Sequence, residues 1–443
     1  MKQRIGAILL SGAMAFSLCA CTSIPGPEPT GAQSPEVTQT ADGIAPLREV
    51  EYPESISYYD NEKQWAMMEE NTVEEETIDQ INSFSYQTAA ELLRGEESGN
   101  YSPISLYLAL ALCTTGAQQE TQQEMLQALG ASDIETLAEQ CGKLYRTLYT
   151  DNEIGELKIH NSIWLNEAEN VDCKKDFLRT AALNFCTGVY QLDFSDESAG
   201  ETIGKWIADH ANGTLTPELQ INPDDLLHLI NTVYFYDQWT DRFSVEETVA
   251  DTFHGTAGDE TIDFMNRVDA SQGFVKGEGF TRASLGMKNG NTMTFVLPDE
   301  GRSPAEFLQS PEALEAAFTA GEMESGEVTW KIPKFSIEAK YSCENMLQDL
   351  GIQSAFSQTA NFSGMTNSLA YLDSVLQETY IGVNETGVEA SAFTDIAVAG
   401  AAMPTGEAKM ILDRPFLYAI ENGSGVILFI GVYQGGAGEI AQP

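Results

Sequence analysis

Apolar residues recur at helical spacing from Thr77 to Leu93, from Ser105 to Thr114, and in Glu120–Gly130 (ETQQEMLQALG), where the glycine supplies a stop. Two segments of strand character come next, Leu157–Glu167 (LKIHNSIWLNE) and Gly188–Phe194 (GVYQLDF), with a helical run from Lys174 to Asn184 between them. Ile203–Gly213 (IGKWIADHANG) predicts an amphipathic helix closing on Asn212-Gly213. Leu226–Trp239 (LLHLINTVYFYDQW) is so continuously apolar that it predicts a strand buried on both faces. Strands then dominate: NTMTFVLPDE, GEVTWKIPKFSIEA, LAYLDSVLQETYIGVNE, AKMILDRPFLYAIEN and GVILFIGVYQG, interrupted by a helix over Tyr341–Gly351. Helices first and many long strands afterwards predict an α+β fold with large mixed sheets.

One segment does not fit its surroundings. In Gly387–Gly400 (GVEASAFTDIAVAG), Val388, Ala390, Ala392, Thr394, Ile396 and Val398 share one side of an extended chain, while Glu389, Ser391 and Asp395 share the other with Phe393 among them. Eleven residues at ~3.3 Å each reach ~36 Å, about twice a usual strand. Yet the segment runs into AAMPTGE, which reads as loop. The pattern alone leaves open an ordinary strand with a flexible tail.

The N-terminus changes the picture of where the chain resides. Lys2 and Arg4 precede an apolar run from Ile5 to Leu18, too short to span a membrane stably, so residues 1–20 read as a signal peptide. Leu18-Cys19-Ala20-Cys21 resembles the bacterial lipobox, which makes Cys21 the expected lipidation site. Residues 22–48 are rich in Pro, Gly, Ser, Thr and Glu without periodicity, and residues 21–63 are expected to form a flexible lipid-anchored tether. A folded domain over 64–436 and a tail over 437–443 complete the expected organisation.

With 67 Asp+Glu against 23 Lys+Arg, the net charge of −44 repels polyanions and argues against nucleic-acid binding. Cys113, Cys141, Cys173, Cys186 and Cys343 show no metal-ligand spacing, and their odd number leaves at least one thiol unpaired. His160, His210, His228 and His254 stand in separate segments and read as structural, and no G-x-S-x-G, H-E-x-x-H, G-x-G-x-x-G or Walker-type loop appears. No enzyme activity, cofactor or metal is expected.

In this order and spacing, NYSPISLYLALALCTTGA, GKWIADHANGTL, LINTVYFYDQWTDRF, KIPKF, LGIQSAF, ANFSGM, RPFLYAI and GVILFIGVY resemble the serpins, over residues from about Gln64 to Gly436. The resemblance implies a large central mixed β-sheet, two further sheets, about eight to nine helices and an exposed reactive-centre loop. It places Ser102, Ser105 and Asn231 in the family's shutter and Trp239 in its breach. The shutter histidine of the family is Gln377 here, which cannot titrate. Glu385, Gly387, Val388, Glu389, Ala390, Ser391 and Ala392 resemble the hinge E-x-G-T-E-A-x-A, with Val388 in place of Thr or Ser. The odd segment is then a loop that becomes a strand after a protease cuts it. Phe393, with outward parity, need not enter the core.

The resemblance further implies a monomeric suicide-substrate inhibitor of serine proteases, cut between Ala401 and Ala402, with Ala402 or Met403 as the alternative carbonyl donor. No Lys or Arg lies between Gly387 and Ala408, so elastase-like or subtilisin-like targets with small apolar pockets are expected. The lipid would hold it on the extracellular face of the cell membrane, or it is released from there. The alternative is a noninhibitory serpin acting as a surface binding or structural protein.

Overall fold

The computed structural model describes residues 45–95, 97–167, 172–211, 219–388 and 406–436. Its first part is helix-rich: α1 (Asn61–Glu70), α2 (Glu75–Leu92), β1 (Gly99–Tyr101), α3 (Pro103–Gly116), α4 (Gln119–Ala128), α5 (Ile134–Leu148), β2 (Thr150–Asn152), β3 (Gly155–Asn166), α6 (Lys175–Asn184), β4 (Gly188–Leu192) and α7 (Ala199–His210). Strands come next as β5 (Leu227–Gln238), β6 (Val249–Gly255), β7 (Gly258–Gly277), β8 (Phe280–Gly286) and β9 (Thr292–Pro298). After α8 (Pro311–Thr319) come β10 (Met323–Pro333), β11 (Phe335–Ser342), α9 (Glu344–Asp349), β12 (Ser374–Val383), β13 (Gly387–Val388), β14 (Gly406–Ile411), β15 (Phe416–Glu421) and β16 (Ile427–Tyr433).

Helix α3 organises the core. Its residues are apolar or small on every face, Pro103 starts it where no N–H is needed, and all but Thr115 are buried. It packs against β3 and β5 of one sheet and β16 of the other. The first sheet has seven strands in the order β11-β12-β13-β5-β3-β2, with β4 on β3. Alternation along β5 sends Leu227, Leu229, Val233 and Phe235 into the main core and Ile230 into a second cluster with Trp164, Tyr190, Trp206 and Ile207 beneath α7. Both faces are covered, as the apolar run requires.

The two further sheets merge. β7 pairs with β6 and β10 along most of its 20 residues and with β8 at its end, joining nine strands into one ladder. Its exposed, largely polar positions hid it from a reading based on apolar periodicity. The helix expected over Tyr341–Gly351 starts later, because Tyr341 and Ser342 pair with Gln377 and Leu376 in the β11–β12 ladder.

Part of the expected tether is bound to the domain. Leu47 N donates to Val189 O (2.7 Å), Ser57 Oγ and Tyr58 N donate to the Glu153 carboxylate (2.6 and 2.9 Å), and Tyr52 meets His160 edge-on at 5.3 Å. Asp60 then caps α1 by accepting from Lys63 N (3.2 Å). The Pro- and Ser-rich composition ends at about Arg48, and the tyrosines beyond it supply the docking surface. Cys113, Cys141, Cys173, Cys186 and Cys343 are all free, and burial pushes each thiol up, Cys113 to about 12, which keeps it unreactive.

Candidate functional site

Gly387 and Val388 form a wedge between β5 and β12. Val388 pairs with Asp237 on one side and Val383 on the other, and Gly387 lies opposite Gln238. A Cβ on Gly387 would stand 2.1 Å from Asp237 O, so only glycine fits. Val388 is 1% exposed. Below the wedge β5 and β12 pair directly and in parallel, from Val233↔Thr379 down to His228↔Ser374. The central sheet is thus split at one end and closed at the other. Glu389, Ala390, Ser391, Ala392, Ala401, Ala402 and Met403 lie outside the described residues. From Gly406 the chain runs as β14, parallel to β10.

A second group of contacts holds the split end. Trp239 is buried; its Nε1 donates to Asn384 O (2.9 Å) and its backbone N to Thr386 O (3.0 Å). Phe243 N donates to Glu385 O (3.0 Å). The Glu385 carboxylate accepts from Thr248 Oγ1 (2.9 Å) and pairs with Lys334 Nζ (3.1 Å). Burial raises its pKa, but a backbone hydrogen bond, Thr248 and Lys334 outweigh this and hold it below the ordinary value.

Asp237, which reading the sequence alone does not single out, is fully buried beside the hinge. It accepts from Asn291 Nδ2 (2.8 Å), Asn289 Nδ2 (3.1 Å) and Gln238 N (2.8 Å), tying β5 to the β8–β9 turn. Burial pushes its carboxyl up to about 6 against the opposing effect of these bonds. An acidic residue inside a strand buried on both faces was the available signal.

Halfway down the seam, Gln377 and Asn231 knit several elements at one level. Gln377 Oε1 accepts from Ser102 N (3.0 Å), and Nε2 donates to Ser102 O (2.8 Å) and Asn231 Oδ1 (3.2 Å). Asn231 Nδ2 donates to Ser105 O (3.1 Å) and to Asn161 Oδ1, while Ser102 Oγ donates to Leu428 O (2.7 Å). The hydroxyl of Ser105 has no hydrogen-bond partner among the described residues. The structure therefore brings Ser102, Ser105, Asn231 and Gln377 into one buried network, and sets Trp239, Glu385, Gly387 and Val388 at the split end. The other side of β5 is covered as well, as expected of a strand buried on both faces, with Ile230 and Thr232 buried.

His160 and His210, 50 residues apart, meet beneath α7 with ring centroids 4.8 Å apart, and burial, then the neighbouring imidazole, pushes His160 down to about 3. Neither faces the seam's core side.

Comparison with known proteins agrees with this geometry. The family profile described as Serpin (serine protease inhibitor) matches residues 79–434. Serpin-Z7 of Hordeum vulgare is 28% identical over 355 residues, covering 75% of this chain and 88% of the relative. A serpin-like protein of Methanosarcina acetivorans is 29% identical over 365 residues, 79% of this chain and 84% of the relative. The thermophilic serpin tengpin in its native state superposes with a TM-score of 0.76 at 26% identity, covering 89% of this chain and all of tengpin; its latent state gives 0.69. Human thyroxine-binding globulin, solved in complex with thyroxine, shares the fold at 24% identity and a TM-score of 0.71, covering 82% of this chain and all of that one. With a profile match over most of its length and a split central sheet into which a hinge already leads, the chain belongs to the serpin family.

Proposed function

We propose that this chain traps serine proteases as a suicide substrate, the loop after Val388 being the bait. The observation that carries this reading is the wedge itself: Gly387-Val388 already occupy the top of a seam that stays closed below. Extending that register down the seam, each even-numbered residue from Ala390 to Val398 would face the main core, and all of them are small or apolar apart from Thr394. Thr394, six residues beyond Val388, would meet Asn231 and Gln377, which lie six residues back from Asp237 and Val383.

The reaction belongs to the target. Its serine attacks the loop carbonyl and forms an acyl-enzyme; the freed loop inserts before water can deacylate it, and the dragged protease loses its oxyanion hole. This chain supplies bait, register and a sheet that opens. The stretch Gly400-Ala401-Ala402-Met403, free of Lys and Arg, suits elastase-like or subtilisin-like pockets. A noninhibitory role is disfavoured by the absence of charge at the even hinge positions.

Incubation with pancreatic or neutrophil elastase is expected to yield an adduct that survives denaturing electrophoresis. Cleavage at Ala401–Met403 with full release of active protease would overturn the reading. We further propose that Cys21 carries a lipid that displays the domain on the outer face of the cell membrane. Cys21→Ala is expected to move the protein from the membrane fraction to the medium; unchanged fractionation would refute it.

A further inference from the structure

The closed end of the seam carries a set of polar contacts that the trapping reaction does not use. His228 and Ser374 are the lowest directly opposed pair of β5 and β12, and their side chains join across the seam, Ser374 Oγ lying 2.7 Å from His228 Nδ1. Beside them Asp373 Oδ2 accepts from Leu226 N (2.8 Å), a second bond across the same gap. His228 is 4% exposed, packs its ring on Phe194 at 5.1 Å, and places Nε2 3.2 Å from Asp225 Oδ2. Nε2 makes no hydrogen bond there, and the Nδ1–Ser374 Oγ pair can bond in either tautomer, with the imidazole as acceptor or donor.

We propose that His228, Ser374 and Asp373 form an end lock on the central sheet, which exists only while the seam is closed and resists insertion of an uncut loop. The proposal rests on the reading of the chain as a loop-inserting trap. Its basis is register. Nine residues on from Val388 is Ala397, and nine residues back from Asp237 and Val383 are His228 and Ser374, so a fully inserted strand puts Ala397 between them. The two strands then stand about 9–10 Å apart, twice the ~4.8 Å spacing of neighbours, and the side-chain bond cannot survive. At the Asn231–Gln377 level the arriving Thr394 brings a hydroxyl that can replace what is broken. Ala397 brings nothing, so the end lock is lost without exchange.

The test compares intact chain with chain cut by thermolysin, a metalloprotease that forms no acyl-enzyme. Ser374→Ala is expected to lower the melting temperature of the intact form by roughly 2 °C, as the loss of one hydrogen bond does. The cut form should be unchanged, since its lock is already open. Spontaneous conversion of intact Ser374→Ala to a form as heat-resistant as the cut chain should quicken about fivefold. Equal destabilisation of both forms would overturn the lock and leave a merely structural contact.

A double variant, His228→Cys with Ser374→Cys, supplies the opposite arm, because directly opposed residues on neighbouring strands lie within disulfide reach. Oxidised, it should be cut by elastase but give at least fivefold less adduct, restored by reduction. Wild-type adduct from the oxidised protein would overturn the proposal. Failure of the trap reading itself shows separately, as a wild type that gains no stability on cutting.

Discussion

Cutting the loop between Val388 and Gly406 with thermolysin is expected to raise the melting temperature by roughly 20 °C, where nicking an ordinary loop raises nothing. The split sheet explains the sign. Among the described residues of the intact chain only Gly387 and Val388 lie between β5 and β12, and the two strands pair with each other over six positions below. A cut loop replaces that one ladder by two longer ones and carries Ala390, Ala392, Ile396 and Val398 from loop to core. A net gain of about ten main-chain hydrogen bonds at ~1 kcal/mol each, at about 2 °C per kcal/mol for a large domain, gives the stated rise. Differential scanning calorimetry of the two forms measures it. A cut form that melts with the intact one, or below it, contradicts insertion.

The second large effect concerns Val388. From sequence, Val388→Arg is the natural way to bury an unpartnered charge at the hinge. The structure changes that choice, because the residue directly opposite is the buried Asp237, which an arginine would pair with. Val388→Asp sets two carboxylates face to face in a desolvated site instead, a cost of several kcal/mol that falls on the inserted state, since in the intact chain the wedge can withdraw into solvent. Insertion then loses to deacylation. Val388→Asp should form at least tenfold less adduct with elastase and be released as cut chain, and Val388→Arg should be milder. Glu389→Ala, which on insertion in the same register would fall on the other face opposite the half-buried Tyr236, should stay within about twofold of wild type. Equal losses from Val388→Asp and Glu389→Ala would refute the assigned strand face; normal adduct from Val388→Asp would refute hinge-led insertion.

Much of this was legible in the residues alone. The continuous apolar run Leu226–Trp239 announced a strand buried on both faces, and β5 is that strand. Alternation likewise marks which residues of an extended segment share a side, and at its start Val388 is buried, while the residues beyond it lie outside the described ones. Both signals are local: each reports how one element presents its own faces.

Pairings between distant elements carry no such local trace. Nothing in LLHLINTVYFYDQW says that its histidine meets a serine 146 residues away, or that its aspartate sits opposite the hinge. Only strand order and register bring those atoms together. Phe393 shows the same limit: its outward parity was readable, but whether that side meets solvent depends on α7 covering it, and Ile230 and Thr232 are buried there. The tyrosines near Tyr52 look like tether until β3 and the β2–β3 turn offer them partners. By itself the sequence determined the fold class and the central strand buried on both faces; the tertiary structure alone decided what stands opposite its residues, because burial follows from each element's own pattern whereas contact depends on where the rest of the chain has been placed.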